Sequence, residues 1–436
     1  MPSNDDHTPT PFNRESEPTV PYRKPKSSPG FFVPPEGNVS HRTAVNFYAS
    51  QENTHFAAET RSSGQVGSGS PIEGFVGKYK SLLESPSLEY REDLQLHKIL
   101  GEGGQGVVYL SERRGADGFQ LPVALKFFSP ELFVNVEEYE RVMGHNAKVA
   151  ARVAQIQHDN LLDVRTWFTM NDIRVMEMEW VDGFDLHQLM SNEMLRWMEK
   201  HLSPEEYQYK TDVVVTQGRH RPRLQPGIAL TIIRDCLNAL EALHNRGIVH
   251  SDIKPANIML KKTGNAKIID LGAAFFYEKS SPMRLCTPFY AAPEILQDCK
   301  MGKTTPQSDI ASLGYVLIDL LSGSSPLEST YSRRNEPVPI REILEKKLRM
   351  VHDLPNLLPQ NVARDVHLVN FCKRMIHPDL SYRFQSAQDA IVVKGGVGDL
   401  LRGLIKGNLA SEFDCDIQSW ISCLHPEPPH PKSEAT

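Results

Sequence analysis

The sequence predicts an α+β chain in two unequal parts, a small sheet-rich part followed by a larger, mainly helical one. Two observations predict it. Between residues 94 and 181, short runs rich in Val, Leu, Ile and Phe surround a glycine turn, as strands do. Past residue 185, apolar residues recur at helical spacing. With 436 residues, 40% hydrophobic and 23% charged, the chain is long and apolar enough for a sizeable core.

Taken in order, residues 1–75 mix Pro, Ser and charge without sustained periodicity and are expected to be a disordered tail. Phe31, Phe32 and Val33 form an apolar island within it, to be read as a docking motif or as an incidental cluster. A linker is expected over 76–93. "LQLHKIL" (94–100), the turn "GEGGQG" and "LPVALKFF" (121–128) read as strands around glycine. "YERVMGHNAKVAARVAQIQ" (139–157) has helical spacing, with a break expected at Gly144, and "IRVMEMEWV" (173–181) returns to strand character.

Residues 200–226 are polar and contain Pro, so an inserted loop is expected, one whose removal leaves the core folded; its "RHRPR" (219–223) is a solvated stretch or a patch for an acidic partner. In "IALTIIRDCLNALEALHNRG" (228–247), Ile228, Ile232, Cys236, Leu240 and Leu243 form one stripe and Gly247 a stop. "SDIASLGYVLIDLLSG" (308–323) has the composition of a central buried helix. The extension 393–436 is expected to hold short helices, with Phe413, Trp420 and Leu424 on one side, before a Pro-rich end.

A net charge of −6 gives no reason to expect nucleic acid. The six cysteines (Cys236, Cys286, Cys299, Cys372, Cys415, Cys423) lack paired spacing, which suits a reducing compartment. No secretory leader and no membrane-spanning run is recognisable, so a cytoplasmic location is expected.

The chemistry-bearing residues begin with Gly101, Gly103 and Gly106, whose missing side chains let a backbone turn close over phosphates. The rival reading is a dinucleotide-binding turn, which needs a helix next and an acid about 20 residues on. Here strand-like "VVYLSE" follows, and the residue 20 after Gly106 is Lys126. Lys126 lies in apolar "VALKFF", where an ammonium calls for an anionic partner such as phosphate. In "VHSDIKPANIML" (249–260), Asp252, Lys254 and Asn257 are close together, and Asp270 of "IIDLGAA" follows 13 residues after Asn257. Oxygens of Asn257 and Asp270 suit Mg²⁺. Asp252 is then free to accept a hydroxyl proton, and Lys254 to neutralise a transferring phosphoryl group.

In this order the motifs resemble those of eukaryotic-type serine/threonine protein kinases over roughly 94–392. "CTPFYAAPE" (286–294) is similar to the end of that family's activation segment. The resemblance implies a bilobal fold: an antiparallel N-lobe over 94–180 with one main helix, and a helical C-lobe over 181–392. It implies ATP with Mg²⁺ (or Mn²⁺) and a protein substrate bearing Ser or Thr. Leu100, Gly101, Glu102, Gly103, Gly104, Gln105 and Gly106 would cover the nucleotide, with Lys126 on the α- and β-phosphates. Val108 and Ala124 would lie above the adenine and Met259 below. Met178 would be gatekeeper, Glu179 and Val181 the adenine edge, and Asp185 a ribose contact. Asp252 and Lys254 would be catalytic, and Asn257 and Asp270 would hold metal. Glu294 would pair with Arg383, and Asp309 would brace the catalytic loop. Lys254, with Thr287 before Pro288, implies Ser/Thr rather than Tyr specificity.

Two departures stand out. Ser251 replaces the arginine with which many relatives grip a phosphorylated activation loop, so that route of activation is expected to be absent. Ser280, Ser281 and Thr287 remain as phosphosites. The helix glutamate that should pair with Lys126 is also missing: nine before His158 is Val149, one turn earlier Asn146, while Glu137, Glu138 and Glu140 lie farther up. A nucleotide-binding, pseudokinase-like scaffold therefore stands as the alternative.

Overall fold

The computed structural model describes residues 72–84, 87–90, 92–277, 287–297, 304–324, 327, 338–405 and 412–424. The expected tail up to residue 71, with Phe31–Val33, and the candidate phosphosites Ser280 and Ser281 lie outside the described residues.

The described residues between 72 and 93 differ from the expected tail and linker. Helix α1 (Ile72–Leu83) carries Phe75, Tyr79 and Leu82 on one buried stripe. It is followed by strands β1 (Ser87–Tyr90), β2 (Glu92–Gly103), β3 (Gly106–Arg114) and β4 (Gln120–Phe128), helix α2 (Val136–Val153), and strands β5 (Val164–Met170) and β6 (Ile173–Glu179). The six strands pair antiparallel in the order β1-β2-β3-β4-β6-β5.

Asn135 caps α2 by accepting from Glu138 N at 2.8 Å, and Glu137 and Glu138 in the first turn suit the helix dipole. Gly144 does not break the helix, which ends at Val153. Phe75 of α1 meets Tyr139 of α2 edge-on at 5.4 Å. The Tyr139 hydroxyl donates to Phe128 O at 3.2 Å and accepts from Arg174 N at 2.9 Å, tying α1, α2 and the sheet together.

After β7 (Gly183–Asp185) and a helical turn at Leu186–Leu189, the chain forms α3 (Asn192–His201), α4 (Pro204–Val213), β8 (Val215–Gln217) and β9 (Pro222–Leu224). The segment expected as a loop is thus a helix and a hairpin. A Ser203–Glu206 capping box starts α4, and Val214, Val215 and Leu224 are fully buried, so excising 200–226 opens the core.

The helical part continues with α5 (Pro226–His244), β10 (Ile248–Val249), β11 (Ile258–Lys261), β12 (Ala266–Ile268), β13 (Phe275–Phe276), α6 (Pro293–Gln297), α7 (Pro306–Ser322), α8 (Ile340–Leu357), α9 (Val366–Met375), α10 (Ala387–Val392), α11 (Val397–Leu404) and α12 (Glu412–Leu424). The predicted stripe of α5 is fully buried. In α7 every residue from Ser308 to Ser322 is buried, and Gly323 ends it at φ +63°. Ile417, Trp420, Ile421 and Leu424 of α12 are buried, and the Phe413 ring lies where a side chain on Gly227 would stand.

The β8–β9 hairpin packs on the end of α7: Arg221 N donates to Gly323 O at 3.0 Å, and the Arg221 guanidinium reaches Asp319 at 2.5 Å. Asp319 also accepts from the Tyr290 hydroxyl at 2.8 Å. Arg221→Ala removes the charged partner of a buried carboxylate and is expected to cost about 2 kcal/mol in urea unfolding. A loss below about 0.5 kcal/mol would show that solvent compensates Asp319.

Candidate active site

The glycine segment is a two-residue hairpin turn: Gly103 pairs with Gly106 across Gly104-Gln105, and Gly101 pairs with Val108. Gly106 has φ +135°, and a Cβ there would stand 1.8 Å from Phe127 O, so close backbone approach requires glycine. Beside the turn, Lys126 on β4 is 4% exposed. Its Nζ donates to Gln105 Oε1 at 2.9 Å and to Asp270 Oδ1 at 2.5 Å.

Sheet register places the expected adenine-covering residues. Val108 pairs with Lys126, and Ala124 with Met178, while Met259 of β11 pairs with Asp185 of β7. Ala124, Met178 and Val181 are buried; Leu100, Gly101 and Glu102 are exposed on β2. The Glu179 carboxylate is committed elsewhere: it pairs with Lys267 and accepts from Asp163 N at 2.7 Å.

Asp185 caps the turn that follows it, accepting from Gln188 N at 2.9 Å. Burial pushes its carboxyl up to about 7 against the bonds from Gln188 and His187. The folded state therefore holds a proton that the unfolded chain, near 3.8, has lost. Its contribution to stability is complete below about pH 4 and falls as pH rises to about 7. The melting temperature of the protein relative to Asp185→Asn is expected to decline over that window and level off above it; a flat difference would contradict the burial.

The catalytic-loop candidates converge. Asp252 Oδ2 accepts from Lys254 Nζ at 2.7 Å and Asn257 Nδ2 at 3.1 Å, while Oδ1 accepts from the Thr287 hydroxyl at 2.8 Å. Asp309 holds the loop from α7, accepting from His250 N and Ser251 N at 2.8 Å each and contacting His244 Nε2 at 2.9 Å. Ser251 and Asp270 adopt φ +70° and +60°, conformations that non-glycine residues hold only when surroundings impose them. Glu294 and Arg383 form a two-pronged ion pair at 2.8 and 3.1 Å.

Burial raises the Asp270 carboxyl's affinity for protons, but the adjoining Lys126 ammonium and the Gly272 N–H outweigh it, holding it well below the usual carboxylate range. With Oδ1 facing Lys126 and Gly272 N, Oδ2 has no hydrogen bond among the described residues; the same holds for Asn257 Oδ1. Among the described residues no three His, Cys, Asp or Glu side chains cluster as a metal site. Two hard oxygen donors fit Mg²⁺, which completes its shell with water and phosphate oxygens.

The structure brings Lys126, Asp270 and Gln105 together, and likewise Asp252, Lys254, Asn257 and Thr287. It brings no α2 carboxylate to Lys126 among the described residues. Glu138 accepts from Val134 N at 3.0 Å, Glu140 pairs with Arg174 at 3.4 Å, and Val149 is 1% exposed. Sequence reasoning missed Lys347 of α8, fully buried, which donates to Phe289 O at 2.8 Å and stands 3.4 Å from the Tyr315 ring centroid. Nothing in "EKKLRM" marks it, since the partner carbonyl is distant in sequence.

The family model described as the protein kinase domain matches residues 94–392. A probable serine/threonine-protein kinase of Clostridium perfringens is 27% identical over 303 residues, covering 68% of this chain and 37% of its own length. A probable serine/threonine-protein kinase PknB of Lactococcus lactis is 24% identical over 287 residues, 64% of this chain and 40% of its own. The cAMP-dependent protein kinase type 3 of Saccharomyces cerevisiae is 26% identical over 347 residues, 76% and 75% of the two chains. The chain thus spans about two fifths of the length of the two bacterial relatives. No helix of the described residues is long and apolar enough to cross a membrane.

Proposed function

The chain belongs to the protein kinase family, and from that premise we propose that it transfers the γ-phosphoryl group of ATP to Ser or Thr hydroxyls of a protein substrate. The carrying observation is the Asp252 cluster. One carboxylate oxygen is held by Lys254 and Asn257, and the other already accepts from an alcohol, the Thr287 hydroxyl. That arrangement orients an acceptor hydroxyl and takes up its proton as the oxygen attacks phosphorus. Lys254, 2.7 Å from Asp252, places positive charge where the transferring group becomes more negative. Lys126 binds the phosphates ahead of the reacting one, and Asn257 and Asp270 hold Mg²⁺, which when bound neutralises phosphate charge. Val108, Ala124, Met178, Val181 and Met259 enclose the base, the backbone of Glu179 meets its edge, and Asp185 meets the ribose.

Ser251 brings no charge to the activation segment, which supports a kinase that does not depend on an arginine–phosphate grip there. Val149 in place of a helix carboxylate favours the second reading, a nucleotide-binding scaffold. γ-Labelled ATP, Mg²⁺ and a basic acceptor protein separate the two. Label transfer that stops on chelation of Mg²⁺ supports the kinase; tight nucleotide binding without transfer supports the scaffold.

A further inference from the structure

The direction of the Lys126 ammonium decides whether it meets phosphate, and three groups fix that direction. Gln105 Oε1 lies at 2.9 Å, Asp270 Oδ1 at 2.5 Å, and the Phe128 ring centroid at 5.3 Å. Among the described residues α2 contributes none: no carboxylate of that helix is bonded to Lys126, and the positions counted back from His158 are Val149 or Asn146. Asp270 is shared with the metal position. Gln105 carries no such second duty.

Its backbone is anchored, with Ser129 N donating to Gln105 O at 3.0 Å and crowded Gly106 following. Its side chain is seated as well. A Cβ on Gly272 would fall 1.8 Å from Gln105 Oε1, so the bare glycine leaves the space the amide fills. The amide also differs from a carboxylate in charge. It orients the ammonium without cancelling the positive charge that the triphosphate requires, whereas a carboxylate adds a negative charge beside those phosphates.

Resting on the nucleotide-site reading above, we propose that Gln105 is the positioning residue of Lys126, a glycine-loop amide replacing the helix carboxylate. The test uses the full chain, with Mg-ATP affinity measured by displacement of a fluorescent ATP analogue alongside steady-state turnover. Gln105→Ala is expected to weaken Mg-ATP about tenfold, because one partner of a charged hydrogen bond is lost. Gln105→Glu keeps an acceptor for Lys126 but adds a negative charge beside the phosphates, so it is expected to recover only part of the affinity that Gln105→Ala loses. In a Lys126→Met background, Gln105→Ala has no further effect, since the interaction is already gone.

Affinity unchanged or tightened by Gln105→Ala, or an equal loss with and without Lys126, overturns the proposal. So does a parent chain that binds no nucleotide. A parent that binds Mg-ATP with this pattern yet transfers no phosphate refutes the kinase reading alone, and an active parent indifferent to Gln105 refutes this proposal alone.

Discussion

Asp252→Asn is expected to lower phosphoryl transfer by about 10²–10⁴-fold, the range associated with loss of a positioned general base. The substitution keeps the shape of the side chain and changes its chemistry. The carboxylate accepts from Lys254 and Asn257 on one oxygen and from Thr287 on the other. An asparagine has a single acceptor oxygen, so its amide nitrogen must face either the Lys254–Asn257 donors or the hydroxyl side. In both arrangements no basic oxygen is left for the proton of an acceptor alcohol. Lys254 loses the Asp252 charge but keeps the Asp270 carboxylate nearby, and nucleotide binding is expected to stay close to that of the parent. The measurement is steady-state turnover with circular dichroism and nucleotide affinity as controls for folding. Equal, measurable turnover in parent and variant would remove Asp252 from the chemistry.

The parts of this site that were legible in the sequence are those whose chemistry leaves few substitutes. A glycine must occupy position 106 because backbone crowds it, and an ammonium in an apolar strand needs an anion, which gave Lys126 a role before its partners were known. The helices α5 and α7 were legible for a similar reason: uninterrupted apolar periodicity has one stable destination, the core. What escaped notice depended on contacts between segments far apart. Gln105 gains its role only when the turn folds back over β4 and meets Lys126 beside Gly272. Lys347 donates to a carbonyl 58 residues away. In α1, the stripe Phe75, Tyr79, Leu82 has helical spacing, but the Pro- and Ser-rich composition before it outweighed that signal. The hairpin within 200–226 has strands of three residues each, too short for alternation to declare itself, and its register comes from Gly323 and Asp319 of the α7 end.

Arg383→Ala carries the largest expected effect on stability, about 3–5 kcal/mol, because it removes a buried guanidinium and leaves the half-buried Glu294 carboxylate without its charged partner. Arg383 is 1% exposed and makes five hydrogen bonds: two to the Glu294 carboxylate, two to His377 O and one to Gln307 O. Among the described residues, alanine leaves Glu294 with the Ser308 hydroxyl at 2.9 Å and takes one donor from Gln307 O and two from His377 O. Arg383→Lys retains charge but lacks the planar fork, so it is expected to recover only part of the loss. Glu294 lies in the first turn of α6, just after the Thr287–Ala292 stretch, so its release also loosens Thr287, which donates to Asp252. Turnover should therefore fall together with stability, and by more in Ala than in Lys. Chemical unfolding of Glu294→Ala, Arg383→Ala and the double variant gives the coupling between the two residues directly. Strong non-additivity is the expected result, with the double variant little worse than Arg383→Ala alone, since removing the second charge relieves the penalty left by the first. Additive losses would mean that Arg383 acts through the carbonyls of Gln307 and His377, and the ion pair would lose its place as the tie between α6 and the segment that joins α9 to α10.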